Sequence, residues 1–220
     1  MPDIRRGLLP PRRGSLVRSF IGDLLHDIDQ ATCRKNRPSE KFVPYAALEP
    51  IWTESRLEEF VHLIHPGFDR DLIPFVRENL LRTLSILVSI SWGLKEWELF
   101  GIIFLHHRNE RGIRDRLDDR IPHYTLGALT EFLDPIYAGR FLSERWTFYP
   151  IVLEEGKTQH FSGDWRLPFV NEESIKIGSG GYGQVTKEVV AKRQFVVDSA
   201  LPRSVYQVKG PHYSPSRSQG

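Results

Sequence analysis

Apolar residues recur at helical spacing through the first two thirds of the chain and in short extended runs after it. Leu16, Phe20, Leu24, Ile28 and Ala31 share one helical face, which predicts a first helix over 15–32 with Ser15 as its cap. Leu57, Phe60, Val61 and Ile64 predict a second helix over 53–64, capped by Thr53. A third helix is expected over 72–91, with Pro74 in its first turn and Val76, Leu80, Leu84, Leu87 and Ser91 facing inward. Trp97, Phe100, Ile103 and Phe104 repeat the same spacing over 96–105, and further short helices are expected over 126–133 and 140–146. Trp92, Trp97 and Phe100 are most simply core residues.

From Trp146 the texture changes. Residues 148–153 and 158–161 flank the turn-like Glu154-Glu155-Gly156-Lys157, which predicts a β-hairpin. The expected class is therefore α+β, helical first and extended afterwards. Two polar stretches break the pattern. Residues 34–41 hold Pro38 and read as a loop. Residues 106–122 mix Arg108, Glu110, Arg111, Arg114, Asp115, Arg116, Asp118, Asp119 and Arg120, and read as an exposed loop. The start, 1–14, is basic and holds Pro2, Pro10 and Pro11, so it reads as a solvated, disordered lead-in.

Composition narrows the classes. The 220 residues include 13 Phe, 5 Trp and 7 Tyr, enough apolar mass for a core. The net charge of +2 gives no electrostatic footprint for nucleic acid. The apolar runs 84–92 and 100–105 fall well short of the roughly 18 residues of a membrane span. Cys33 stands alone, so neither an internal disulfide nor a cysteine-built zinc site can form. A reducing compartment, cytoplasmic or nuclear, is the expectation.

The stretch that carries chemistry is Ser174-Ile175-Lys176-Ile177-Gly178-Ser179-Gly180-Gly181-Tyr182-Gly183-Gln184-Val185. It holds G-x-G-x-x-G at Gly178, Gly180 and Gly183, and the texture of the chain after the last glycine decides its meaning. A dinucleotide loop must open a helix, yet Val185-Thr186-Lys187-Glu188-Val189-Val190-Ala191 has the β-branched texture of a strand. A Walker loop needs Gly-Lys-Ser/Thr at its end, which is absent. Strand–glycine loop–strand remains, the arrangement in which glycines let backbone N–H groups reach phosphates with no Cβ between.

With Tyr182 before the last glycine and Val185 two places after it, this segment resembles the nucleotide loop of protein kinases. The order of a helical leader and Leu167-Pro168-Phe169 before the first strand is similar to fungal-type kinases. The resemblance implies that 174–210 forms part of an antiparallel kinase N-lobe, after a helical region over 15–146 and a linker over 147–173. It implies ATP as cofactor, with magnesium in the longer parent, and a serine/threonine kinase activity. Ile177, Gly178, Ser179, Gly180, Gly181, Tyr182, Gly183, Gln184 and Val185 would form the ATP-binding loop. Ile177 and Val185 would sandwich the adenine, and Tyr182 would shield the phosphates.

A kinase also needs a phosphate-binding lysine. Lys192 ends Val189-Val190-Ala191-Lys192, and Lys209 ends Tyr206-Gln207-Val208-Lys209. Lys209 is preferred for its distance from the loop, Lys192 fits by pattern, and a lysine outside the sequence is an equal alternative. No His-Arg-Asp or Asp-Phe-Gly occurs, and 211–220 is polar and turn-rich, expected to be disordered. The expectation is a kinase N-terminal fragment unable to transfer phosphate alone. The alternative is a helical protein-interaction module whose glycine segment is incidental. His62 and His65, spaced three apart, and the adjacent His106 and His107 are ordinary helix-surface residues, and no Gly-x-Ser-x-Gly elbow occurs.

Overall fold

A computed structural model describes residues 11–33, 41–158, 160, 165–180 and 183–197. The class is α+β. The helical body comprises α1 (Pro11–Ala31), α2 (Tyr45–Ile51), α3 (Glu54–Ile64), α4 (Ile73–Asn79), α5 (Leu81–Ser89), α6 (Leu94–Trp97), α7 (Leu126–Thr130) and α8 (Pro135–Phe148). A 3₁₀ turn at Arg70–Leu72, a π-helical turn at Gly101–His106 and a longer 3₁₀ stretch at Asp118–His123 lie between them. Strands β1 (Leu153–Glu154), β2 (Phe169–Gly180), β3 (Gly183–Val190) and β4 (Phe195–Val196) come after the body. They make two separate pairs: β2 antiparallel to β3, and β1 parallel to β4.

Helix α5 is the axis of the body. Leu81, Thr83, Leu84, Ser85, Ile86, Leu87 and Val88 are all buried, so neighbours cover it on every side. Its apolar wall meets α1, α2, α4 and α8. An aromatic chain runs beside it: Phe60 lies edge-on to Trp97 at 5.0 Å, Trp97 meets Trp92 at 4.9 Å, and Phe100 meets Phe104 at 5.2 Å. The core placement expected for Trp92, Trp97 and Phe100 is what the structure has. Two polar groups in this core are paired: Trp52 Nε1 donates to Ser85 Oγ at 2.9 Å, and that hydroxyl donates to Leu81 O at 2.7 Å, whereas the buried Trp97 Nε1 has no hydrogen-bond partner among the described residues.

The second helix forms as expected. Thr53 Oγ1 accepts from Arg56 N, and Leu57, Phe60, Val61 and Ile64 are buried. The first helix differs in start, and in facing only at Leu16, since Leu24 and Ile28 are buried and Phe20 and Ala31 pack against the core as expected. It begins at Pro11, where a missing N–H costs nothing, and Ser15 is internal. Its buried residues are Val17, Leu24 and Ile28, while Leu16 is 58% exposed. Residues 11–14 of the expected disordered lead-in are helical. Arg13 is helical, and its Nε and Nη2 donate to Leu63 O at 2.6 Å and His62 O at 3.1 Å. Those are free carbonyls of the last turn of α3, so Arg13 caps that helix from outside. Residues 1–10 and 34–40, with Pro2, Pro10 and Pro38, lie outside the described residues.

The third helix is two helices. The backbone leaves helical geometry at Leu80 (φ −136°, ψ 9°), which divides α4 from α5. Apolar spacing runs through the break unchanged, because Val76, Leu80, Leu84 and Leu87 face one core on both sides of it. The expected hairpin between 148–153 and 158–161 is not the pairing observed. Phe148 ends α8, and β1 pairs with β4, Leu153 opposite Phe195 and Glu154 opposite Val196. The turn at Glu155-Gly156 does form, with Gly156 left-handed at φ 71°. Gln159 and Phe161 lie outside the described residues.

Candidate functional site

Strands lie on both sides of the glycines. The β2–β3 ladder pairs Ile175 with Lys187, Lys176 with Thr186, Gly178 with Val185, Ser179 with Gln184 and Gly180 with Gly183. Between Lys176 and Gly178 the ladder steps over Ile177, a bulge that re-aims the strand before the first glycine. A second, larger register shift lies between Val170 and Ile175, opposite Val189 and Lys187. Ile175 and Ile177 are 57% and 52% exposed, so this two-stranded arm buries neither of them against the body. Ser179, Lys176 and Lys187 are exposed as well.

A Cβ built on Gly178 would meet no atom within 4 Å, and its backbone is not left-handed. Neither crowding nor backbone conformation within the chain therefore requires glycine there. The space beside its Cα is open, although the residue itself is half-buried. Gly181 and Tyr182 lie outside the described residues, as do the side chains at Gln184 and Val185. Their expected roles at the loop tip and over the adenine fall there too.

Of the two candidate lysines, Lys192 sits exposed in the turn after β3 rather than on a strand. Lys209 lies outside the described residues. The next strand, β4, pairs parallel with β1 and not with the glycine hairpin. Among the described residues no three His, Cys, Asp or Glu side chains gather to hold a metal ion.

A second polar cluster sits inside the body. Asp118 is buried, and its carboxylate accepts from Arg82 N, Thr83 N and Thr83 Oγ1, each at 2.8 Å. It thus caps the N-terminus of α5 from 36 residues away, because Leu80 offers no side-chain oxygen there. Burial pushes the Asp118 carboxyl up to about 6, against the pull of those hydrogen bonds and the Arg82 charge. The Arg82 guanidinium lies between the rings of Tyr149 at 4.1 Å and Tyr45 at 4.8 Å, and Tyr149 Oη donates to Asp118 O. Burial raises the pKa of both tyrosines. A pocket of about 420 Å³ opens beside this cluster, walled also by Glu78, Asn79 and Asp119.

The exposed loop expected over 106–122 is therefore only partly exposed. Asp118 and Ile121 are buried, and three of its arginines cap the wide turn Gly101–His106. Arg108 Nη1 and Arg114 Nε donate to Leu105 O at 2.9 and 3.1 Å, and Arg116 Nη1 donates to Ile103 O at 3.1 Å. Arg114 also stacks on Phe75 and Arg116 on Phe132, each at 4.1 Å. One sequence signal could have exposed the cluster: α5 begins on Leu80-Leu81 with no local cap, so a buried acceptor must come from elsewhere.

Compared with protein families, curated proteins and solved structures, the chain matches none of them. No described helix is long and apolar enough to cross a membrane.

Proposed function

We propose that this chain carries the helical leader and the ATP-binding glycine hairpin of a protein kinase, acting in the cytoplasm or nucleus. One observation carries the reading: the half-buried Gly178 lies on β2 at the first position of the glycine pattern, where a Cβ would meet no atom within 4 Å. The strand–glycine–strand register supports it, since Gly178, Ser179 and Gly180 run directly into the turn closed by Gly180 opposite Gly183. In this reading the hairpin backbone holds the phosphates of ATP. The chain itself supplies neither the catalytic base nor the magnesium ligands.

Gly178→Val tests it. The added side chain meets open space, so thermal stability should stay within about 0.5 kcal/mol of wild type, the usual range for a surface change. Binding of MgATP, measured by calorimetry, should be lost. Equal ATP affinity in both proteins, or none in either, would overturn the proposal.

A further inference from the structure

Two non-glycine residues among those described have a left-handed backbone, Ser91 and Arg193, and Arg193 (φ 67°) sits in the turn between β3 and β4. The comparable left-handed turn positions Gly112 and Gly156 are glycine, the residue that adopts this region without strain. An arginine at such a site points to a use for its side chain. Its Nη1 donates to Glu49 Oε1 on α2 at 2.7 Å, spanning 144 positions of sequence.

The next residue is a second anchor. Gln194 is 1% exposed, and with its amide nitrogen facing the linker it donates to Pro150 O and Ile151 O at 3.1 Å each. Its backbone carbonyl accepts from Leu153 N at 2.9 Å, and Gln194 N donates to Ala191 O at 3.0 Å. Ala191 N in turn donates to Pro168 O at 2.8 Å, closing the foot of the hairpin where Phe169 pairs with Val190. The turn 191–194 therefore touches the hairpin at one end and the helical body at the other.

We propose that this turn is the mount of the glycine hairpin, with Gln194 as its fixed point and Arg193 as the positioning residue through which α2 sets the hairpin's orientation. The consequence for ATP rests on the nucleotide reading above; the mount itself does not. A change at α2 that withdraws Glu49 frees the hairpin without unfolding the body.

Hydrogen exchange of the full chain over residues 175–190 tests this, with MgATP affinity as a second readout. Arg193→Gly relieves the backbone and removes the guanidinium. It should leave the thermal midpoint of the body unchanged or higher, speed exchange in 175–190 about threefold, and weaken ATP binding by a similar factor. Glu49→Arg should do the same to the hairpin. The pair Glu49→Arg with Arg193→Glu should restore both readouts, which a merely structural loss would not. Unchanged exchange in Arg193→Gly, or no rescue in the exchanged pair, overturns the mount. If the variants show this exchange pattern while the wild-type chain binds no ATP, the mount stands and the nucleotide reading is overturned.

Discussion

The body over 11–148 and the strands over 153–196 solve burial in opposite ways. In the body, residues from every helix meet one core around α5, and polar groups at Trp52, Ser85 and Thr83 are hydrogen-bonded inside it. In the strand region the buried cluster is Ile151, Leu153 and Phe169, with Val190 and Phe195 packed against it. Val152, Trp165, Leu167, Ile175, Ile177, Val196 and Val197 stay exposed. A two-stranded arm with that little buried surface cannot hold itself. It takes its order from the body, through the turn at 191–194 and the contacts at Pro150 and Ile151. The region that carries the glycine motif is thus the region with the least stability of its own, as segments that must meet a ligand often are.

The largest expected effect lies in the body. Trp97→Ala removes a fully buried ring that touches Phe60, Trp92 and Phe100, and should cost about 3–5 kcal/mol in denaturant unfolding. If it cost under about 1 kcal/mol, the aromatic chain would not be core.

Asp118 offers a sharper cut. Asp118→Ala leaves the Arg82 and Thr83 amides without their acceptor, at a cost of about 1–3 kcal/mol. The sign of its pH dependence comes from the raised pKa. The folded protein binds the Asp118 proton more tightly than the unfolded chain. This contribution is therefore full below about pH 4 and is lost as pH rises through about 6. Going from pH 7 to 5, the wild type should gain about 1 kcal/mol relative to Asp118→Asn. A difference independent of pH would contradict the buried cap.

Phe169→Ala probes the other region. It should open the hairpin foot, seen as faster exchange in 169–190, while the unfolding midpoint of the body moves little. A full-sized loss of global stability would mean the two regions unfold as one. The smallest effect is expected from Arg13→Ala, which uncaps α3 and should cost about 0.5–1 kcal/mol.

The two regions were legible in the sequence because their apolar periods differ. The second helix, the aromatic core and the strands around Gly178–Gly183 could all be read from spacing. The break at Leu80 could not, since the same apolar face continues across it. Nor could the partner of β1. A two-residue strand says nothing about which edge it meets, and its mate lies far along the chain, at Phe195 and Val196. Asp118 was hidden in a run of mixed charges whose composition reads as solvent-facing. Its burial comes only from the missing cap on a helix 36 residues earlier. Arg193 likewise looks like a surface cation until its backbone and its partner on α2 are known.

Hydrogen exchange across the whole chain, with and without MgATP, tests the division between a self-stable body and a weakly held hairpin that, in the proposed reading, ATP steadies further. Exchange in α5 should be slow under both conditions. Exchange in 175–190 should be fast without nucleotide, and ATP should slow it around Gly178–Val185 and not in the body. Protection by ATP confined to the helical body, or none anywhere at millimolar nucleotide, would contradict that division.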